Sequence, residues 1–176
     1  MKLSNKGDYI YEHSLILTYL SYLILAELDW NSKDTRYKVF LACLFHDLSL
    51  PDSKEVKVME LEIESNMTAE EIKRKHKLYY DHPLDSSMYI HEFREIPPDT
   101  NSIIAQHHEK PDGSGFPKGL RANKTFPLAT LFNVAHDLLN FLYKNEFNNE
   151  SIIKFVRQKE KKIVIFFLFL SNKFNY

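Results

Sequence analysis

His107, His108 and Glu109 run directly into the stretch "KPDGSGFPKGL". The chain has only 4 glycines, and Gly113, Gly115 and Gly119 all fall in that loop. Glycine concentrated in this way points to backbone forced close to a bound group. Paired imidazoles beside it point to a metal ion. The remaining histidines extend the pattern: His13, the adjacent pair His46-Asp47, His82 before Pro83, and His136-Asp137. If these side chains converge, they supply enough nitrogen and oxygen donors for two divalent ions sharing a carboxylate. Such a pair suits metal-assisted hydrolysis. His76 and His91 lie among charged residues and read as surface positions.

The elements that must carry these residues read as helical almost throughout. Residues 9–29 place Ile10, Leu17, Leu20, Ile24 and Leu28 near the helical period. A second helix is expected from Asp34 to His46, ended by "LSLPDS", where Pro51 breaks the hydrogen-bond ladder. Thr68 and Glu71 form a capping box for a helix to about Tyr80. "DHPLDSSMYIHEF" reads as a separate helix with Pro83 in its first turn. Pro97-Pro98 stops it, and 99–108 makes a short helix leading to the glycine loop. Pro127 opens "LATLFNVAHDLLNFLYK", and "NESIIKFVRQKEKK" makes a last helix. No strand pattern precedes the tail, so the fold is expected to be all-α, a bundle of about seven helices around a metal-binding cavity.

Bulk properties narrow the function classes. A chain of 176 residues is long enough for one core without disulfides or structural metal. With 23 Lys and Arg against 24 Asp and Glu, there is no electrostatic case for a nucleic-acid polymer as partner. Cys43 is the only cysteine, which fits a reducing cytoplasm. The run "SLILTYLSYLILA" (14–26) follows Asp8 and Glu12 and reads as a buried amphipathic helix rather than an export signal. "IVIFFLFL" (163–170) is far shorter than the roughly 20 apolar residues that span a bilayer. Residues 1–160 are expected to form one domain, with 161–176 an apolar tail that packs as a final core helix, adds a dimer contact or is a poorly folded end, the first two being favoured.

The order His13, His46-Asp47, His82-Pro83, His107-His108-Glu109 and "DGSGFPKGL" resembles the HD-GYP family, a branch of the HD phosphohydrolases, over about His13 to His136. The resemblance implies an HD-type helical bundle with two divalent metal ions, iron or manganese, hydrolysing the bacterial messenger cyclic di-GMP. Matched by motif position, His13, His46 and Asp47 hold the first metal, and Asp47 bridges to a second held by His82, His107 and His108. His136 stands at the family's late metal-binding aspartate. Asp47, His82, His107 and His108 carry the catalytic role; Gly113, Gly115, Phe116 and Lys144 face the substrate. A metal-activated hydroxide would attack phosphorus in line with the leaving ribose oxygen.

Four positions depart from the family. "HDLSLPD" puts Ser49 and Leu50 where the family has glycine and a phosphate-facing lysine. Phe116 replaces the tyrosine of "GYP" and keeps only the ring. His136 replaces an aspartate. The family's later arginine segment is not recognisable in "LYKNEFNNES", leaving Lys144 as a poor stand-in. These changes imply weak phosphodiesterase activity. The alternative is a catalytically impaired module that keeps metal or nucleotide binding and acts through a signalling partner at the glycine loop. The tail leaves a homodimer open.

Overall fold

The structure, a computed structural model, describes residues 8–28, 30–50 and 69–158. The capping box at Thr68 and the tail 161–176 lie outside the described residues. Helices α1 (Asp8–Glu27), α2 (Lys33–Phe45), α3 (Ala69–His91), α4 (Pro98–Ala105) and α5 (Pro127–Lys144) are followed by a sixth, α6, over 149–158. Among the described residues no strand forms; Asp112 and Arg121 make one isolated antiparallel bridge. The all-α expectation holds.

Local chemistry sets the helix ends. Ser32 caps α2 by accepting the Thr35 amide at 3.0 Å, satisfying a donor that has no partner within the helix. α4 and α5 open on Pro98 and Pro127, where a missing N–H costs nothing. One boundary differs from expectation. The helices expected on either side of Asp81 are a single helix, α3, with Pro83 inside it. The proline removes one rung without ending the helix, and the site makes use of the freed carbonyl.

The core joins α1, α2, α4 and α5, and α3 contributes Ile90 to it. Leu17 and Leu25 of α1 meet Val39, Ala42 and Cys43 of α2, Ile103 and Ile104 of α4, and Leu131, Phe132, Ala135 and Leu139 of α5. Full burial of one such side chain contributes about 1.5–3 kcal/mol. Helix α1 is apolar beyond its buried face: Tyr11, Leu15, Tyr19 and Leu23 form an exposed stripe, so the expected burial of this helix holds for one side only. No described helix is long and apolar enough to cross a membrane.

Candidate metal centre

The histidines sit where the apolar stripes continue. On α1, His13 lies one turn before Leu17 and is 2 % exposed, sharing the face that Leu17 and Leu25 bury at i+4 spacing. On α5, His136 follows Phe132 by the same spacing and is also buried. His46 caps the end of α2, its amide bonded to the Ala42 carbonyl at 2.9 Å. A polar floor therefore closes one end of an otherwise apolar core.

Beyond His46 the chain turns tightly, with the Leu50 amide on the Asp47 carbonyl at 2.9 Å. Ser49 ties this turn to α3. Its amide donates to Ser86 Oγ at 3.0 Å and its hydroxyl to the His82 carbonyl at 3.2 Å. Ser49, expected to mark only a missing glycine, thus fixes Asp47 against the helix that carries His82. Leu50, at the place of the family's lysine, is buried.

Pro83 explains the setting of His82. In an unbroken helix the amide of residue 83 would occupy the carbonyl of Tyr79. Proline has no such hydrogen, and His82 Nδ1 takes the Tyr79 carbonyl instead, at 2.5 Å. His46 and His107 use the same device, with Nδ1 at 3.0 Å from the Cys43 carbonyl and 2.7 Å from the Ile104 carbonyl. A ring that donates through Nδ1 presents Nε2 as a lone pair, the tautomer that a metal needs.

The glycine loop is built against its own chain. A Cβ on Gly115 would stand 2.3 Å from the Lys110 nitrogen and 2.4 Å from the His108 oxygen. The close approach expected to face a bound group is made to the His108–Lys110 backbone. That contact by itself accounts for glycine at position 115. Gly113, at φ +82°, supplies a left-handed turn, which likewise serves the loop. Glu109 closes the loop: its buried carboxylate accepts the amides of Lys118 at 2.8 Å and Leu120 at 2.6 Å. Phe116 stacks on His108, ring centroids 4.4 Å apart and planes 19° off parallel. It also packs on Tyr79 and Tyr80. Lys144 lies in the exposed last turn of α5, about 12 Å further along the helix than His136.

Six histidines gather as two triplets, His13-His46-His136 and His82-His107-His108. Within each, one ligand atom per residue lies within 4.8 Å of the others. Asp47 stands between them. Its Oδ2 is 3.0 Å from His46 Nε2; its Oδ1 is 3.2 Å from His82 Nε2 and 3.8 Å from His107 Nε2. All seven expected ligands are thus brought together. Burial pushes the Asp47 carboxyl up, but His46 and His82 outweigh it and hold the group well below the ordinary carboxylate range. Burial, then neighbouring imidazoles, hold His107 and His108 well below the ordinary imidazole range. Near neutral pH the cluster therefore sets an ionised Asp47 beside the neutral imidazoles of His107 and His108.

These residues fit divalent ions. The Nε2 of His108 is buried without a hydrogen-bond partner, a costly arrangement unless something binds there. His82 and His107 bring their Nε2 atoms to 3.0 Å. Two nitrogens bound at right angles to one ion, each at about 2.1 Å, are separated by about 3.0 Å.

The sequence model described as HD domain matches residues 2–154. The chain belongs to the HD domain family. Members of this family bind divalent metals and act as metal-dependent phosphohydrolases. Its fold is similar to that of Bd1817, an HDG"Y"P protein from Bdellovibrio bacteriovorus. The TM-score is 0.59 at 23% identity, over 85% of this chain and 46% of that one. The chain therefore spans under half the length of that protein. No curated protein matches it. The resemblance read from the histidine order is borne out at the level of the HD family and its fold.

Sequence reasoning missed the residues that hold the ligands in place. Gln106 Oε1 accepts the Phe126 amide at 2.7 Å, and Asn133 reaches back to the turn that carries His107 and His108. Neither has a local spacing signal, since the partners are 20 or more residues apart. His91 is exposed, as expected, and pairs with Asn101.

Proposed function

We propose that this HD domain is of HD-GYP type and hydrolyses cyclic di-GMP weakly, with two divalent ions held by the seven residues around Asp47. The observation that carries this reading is the Asp47 carboxylate between two histidine triplets. His13, His46 and His136 would hold one ion, His82, His107 and His108 the other, with Asp47 reaching both. Bound there, the ions would neutralise phosphate charge and supply a nucleophilic water at neutral pH. The protein's own part is to keep His107 and His108 neutral, fix the tautomers of His46, His82 and His107 through backbone carbonyls and hold Asp47 ionised. Donors this rich in imidazole favour iron over manganese. Phe116 would brace His108 beside the substrate. Lys144 and the loop glycines are left out of the binding set. The single buried Cys43 suits a cytoplasmic setting.

Leu50 favours a second reading. With an apolar side chain buried at the lysine position, the substrate phosphate loses a charge-assisted contact worth about 1.5–3 kcal/mol. If that contact strengthens in the transition state, the rate falls about tenfold to a hundredfold. The limit of that trend is a module that binds without cleaving. Anaerobically purified, metal-analysed protein incubated with cyclic di-GMP separates the two. Slow release of linear dinucleotide or GMP supports the enzyme. Binding without turnover over a day supports the module, and neither binding nor turnover removes the messenger from the proposal.

A further inference from the structure

We infer that Asn133 is a positioning residue for the His82-His107-His108 donor set; this rests on the reading of the cluster as a metal site. The Asn133 amide nitrogen donates to two backbone carbonyls, Gln106 at 3.0 Å and Glu109 at 2.7 Å. Those carbonyls bracket His107 and His108. Gln106 is the C-cap of α4, where helix carbonyls run out of intrahelical partners. An amide nitrogen carries two hydrogens, and this one uses both. Its Oδ1 is buried with no hydrogen-bond partner, so the position uses the amide only as a double donor. A flipped amide would set its oxygen against both carbonyls.

The place of Asn133 on α5 gives the clamp its purpose. It lies three residues before His136, on the same face. One side chain thus ties the turn bearing two ligands of one triplet to the helix bearing a ligand of the other. Gln106 adds a second tie to the same helix through the Phe126 amide at 2.7 Å. Glu109, gripped by Asn133 through its carbonyl, holds the glycine loop through its carboxylate. Without the clamp, the His107-His108 turn keeps its sequence but loses its registration against α5. Loss of such outer contacts lowers metal affinity about 10- to 100-fold.

The test is a cobalt(II) titration of the full chain, followed by its visible absorption, in wild type, Asn133→Leu, Asn133→Ala and His82→Ala. Thermal melts accompany each titration. Wild type is expected to take up two equivalents. Both Asn133 variants should keep one near wild-type affinity and weaken the other about 10- to 100-fold. The weakened spectral component should be the one that His82→Ala removes. Asn133→Ala removes the two donors without adding bulk or charge, so it carries the test if the leucine variant fails to fold. Equal weakening of both equivalents, or two equivalents at wild-type affinity, would overturn the inference alone. A wild type that takes up no metal would overturn the metal-site reading itself, and the inference with it.

Discussion

The Nε2 atoms of His82 and His107 face each other at 3.0 Å, and each ring has its Nδ1 committed to a carbonyl three residues back. Two lone pairs held that close are compatible only if a cation or a proton lies between them. Burial disfavours protonation of His107, and a metal cation would satisfy both lone pairs at once. The pair is a preformed chelate, built by backbone geometry.

Asp47 reaches both triplets, and single substitutions should separate its role from that of one imidazole. Asp47→Ala is expected to lose both metal equivalents together, while His82→Ala chiefly empties one. Elemental analysis of protein purified under reducing conditions reads this directly. Retention of one full equivalent by Asp47→Ala would remove the bridge.

Gly115→Ala should be destabilising by about 3 kcal/mol, because the added methyl meets backbone and nothing there can yield. Gly113→Ala places a side chain at φ +82° and should cost about 1–2 kcal/mol. Urea unfolding midpoints compare the two. A Gly115 variant as stable as wild type would mean that the loop packs differently.

Glu109→Gln keeps the shape of a side chain that accepts two amides. The glutamine must turn its NH2 toward one of them and forfeit that bond. Hydrogen bonds to charged groups contribute about 1.5–3 kcal/mol each, so a loss of about 2–4 kcal/mol is expected. For a domain of this size that corresponds to a fall in Tm of roughly 4–16 °C. A change under 2 °C would show that the two amides find other acceptors.

Phe116→Tyr should leave metal content unchanged, since the ring itself supports His108 and stacks on it at 4.4 Å. Loss of metal in this variant would mean that the ring sits too tightly to admit a hydroxyl.

Cys43 is fully enclosed, and burial, eased only in part by hydrogen bonds from Thr18 and Ser21, pushes its thiol up to about 12. The thiolate is the reactive form, so the native protein should not react with a thiol reagent at pH 8. The signal should appear only when denaturant is added. Rapid native labelling would contradict the packing of α1 on α2.

The helices and the ligand order were legible because both are local: periodic apolar residues, proline starts, and histidine placed against a glycine-rich loop. The reasons behind them were not. Pro83 alone points to a separate helix at His82; the helix instead continues, and the neighbouring histidine takes the Tyr79 carbonyl that the proline leaves without an amide. The glycines signalled a close approach correctly, yet composition could not say that the approach is to residues 108–110 rather than to a ligand. Asn133, Gln106 and Ser49 act across the fold, and nothing beside them in the chain announces their partners.

The spread of the ligands from His13 to His136 has a consequence for how the protein can be monitored. An unfolded chain offers a metal only short fragments of the site, the neighbours His46-Asp47 and His107-His108. The full donor set exists only when α1, α2, α3, α4 and α5 have all docked. Ions that bind the assembled set stabilise it by mass action, by about 2.7 kcal/mol at a hundredfold excess over Kd. On the metal-site reading, a melting temperature that falls when chelator is added would therefore report that all five helices have docked, which helix content alone does not.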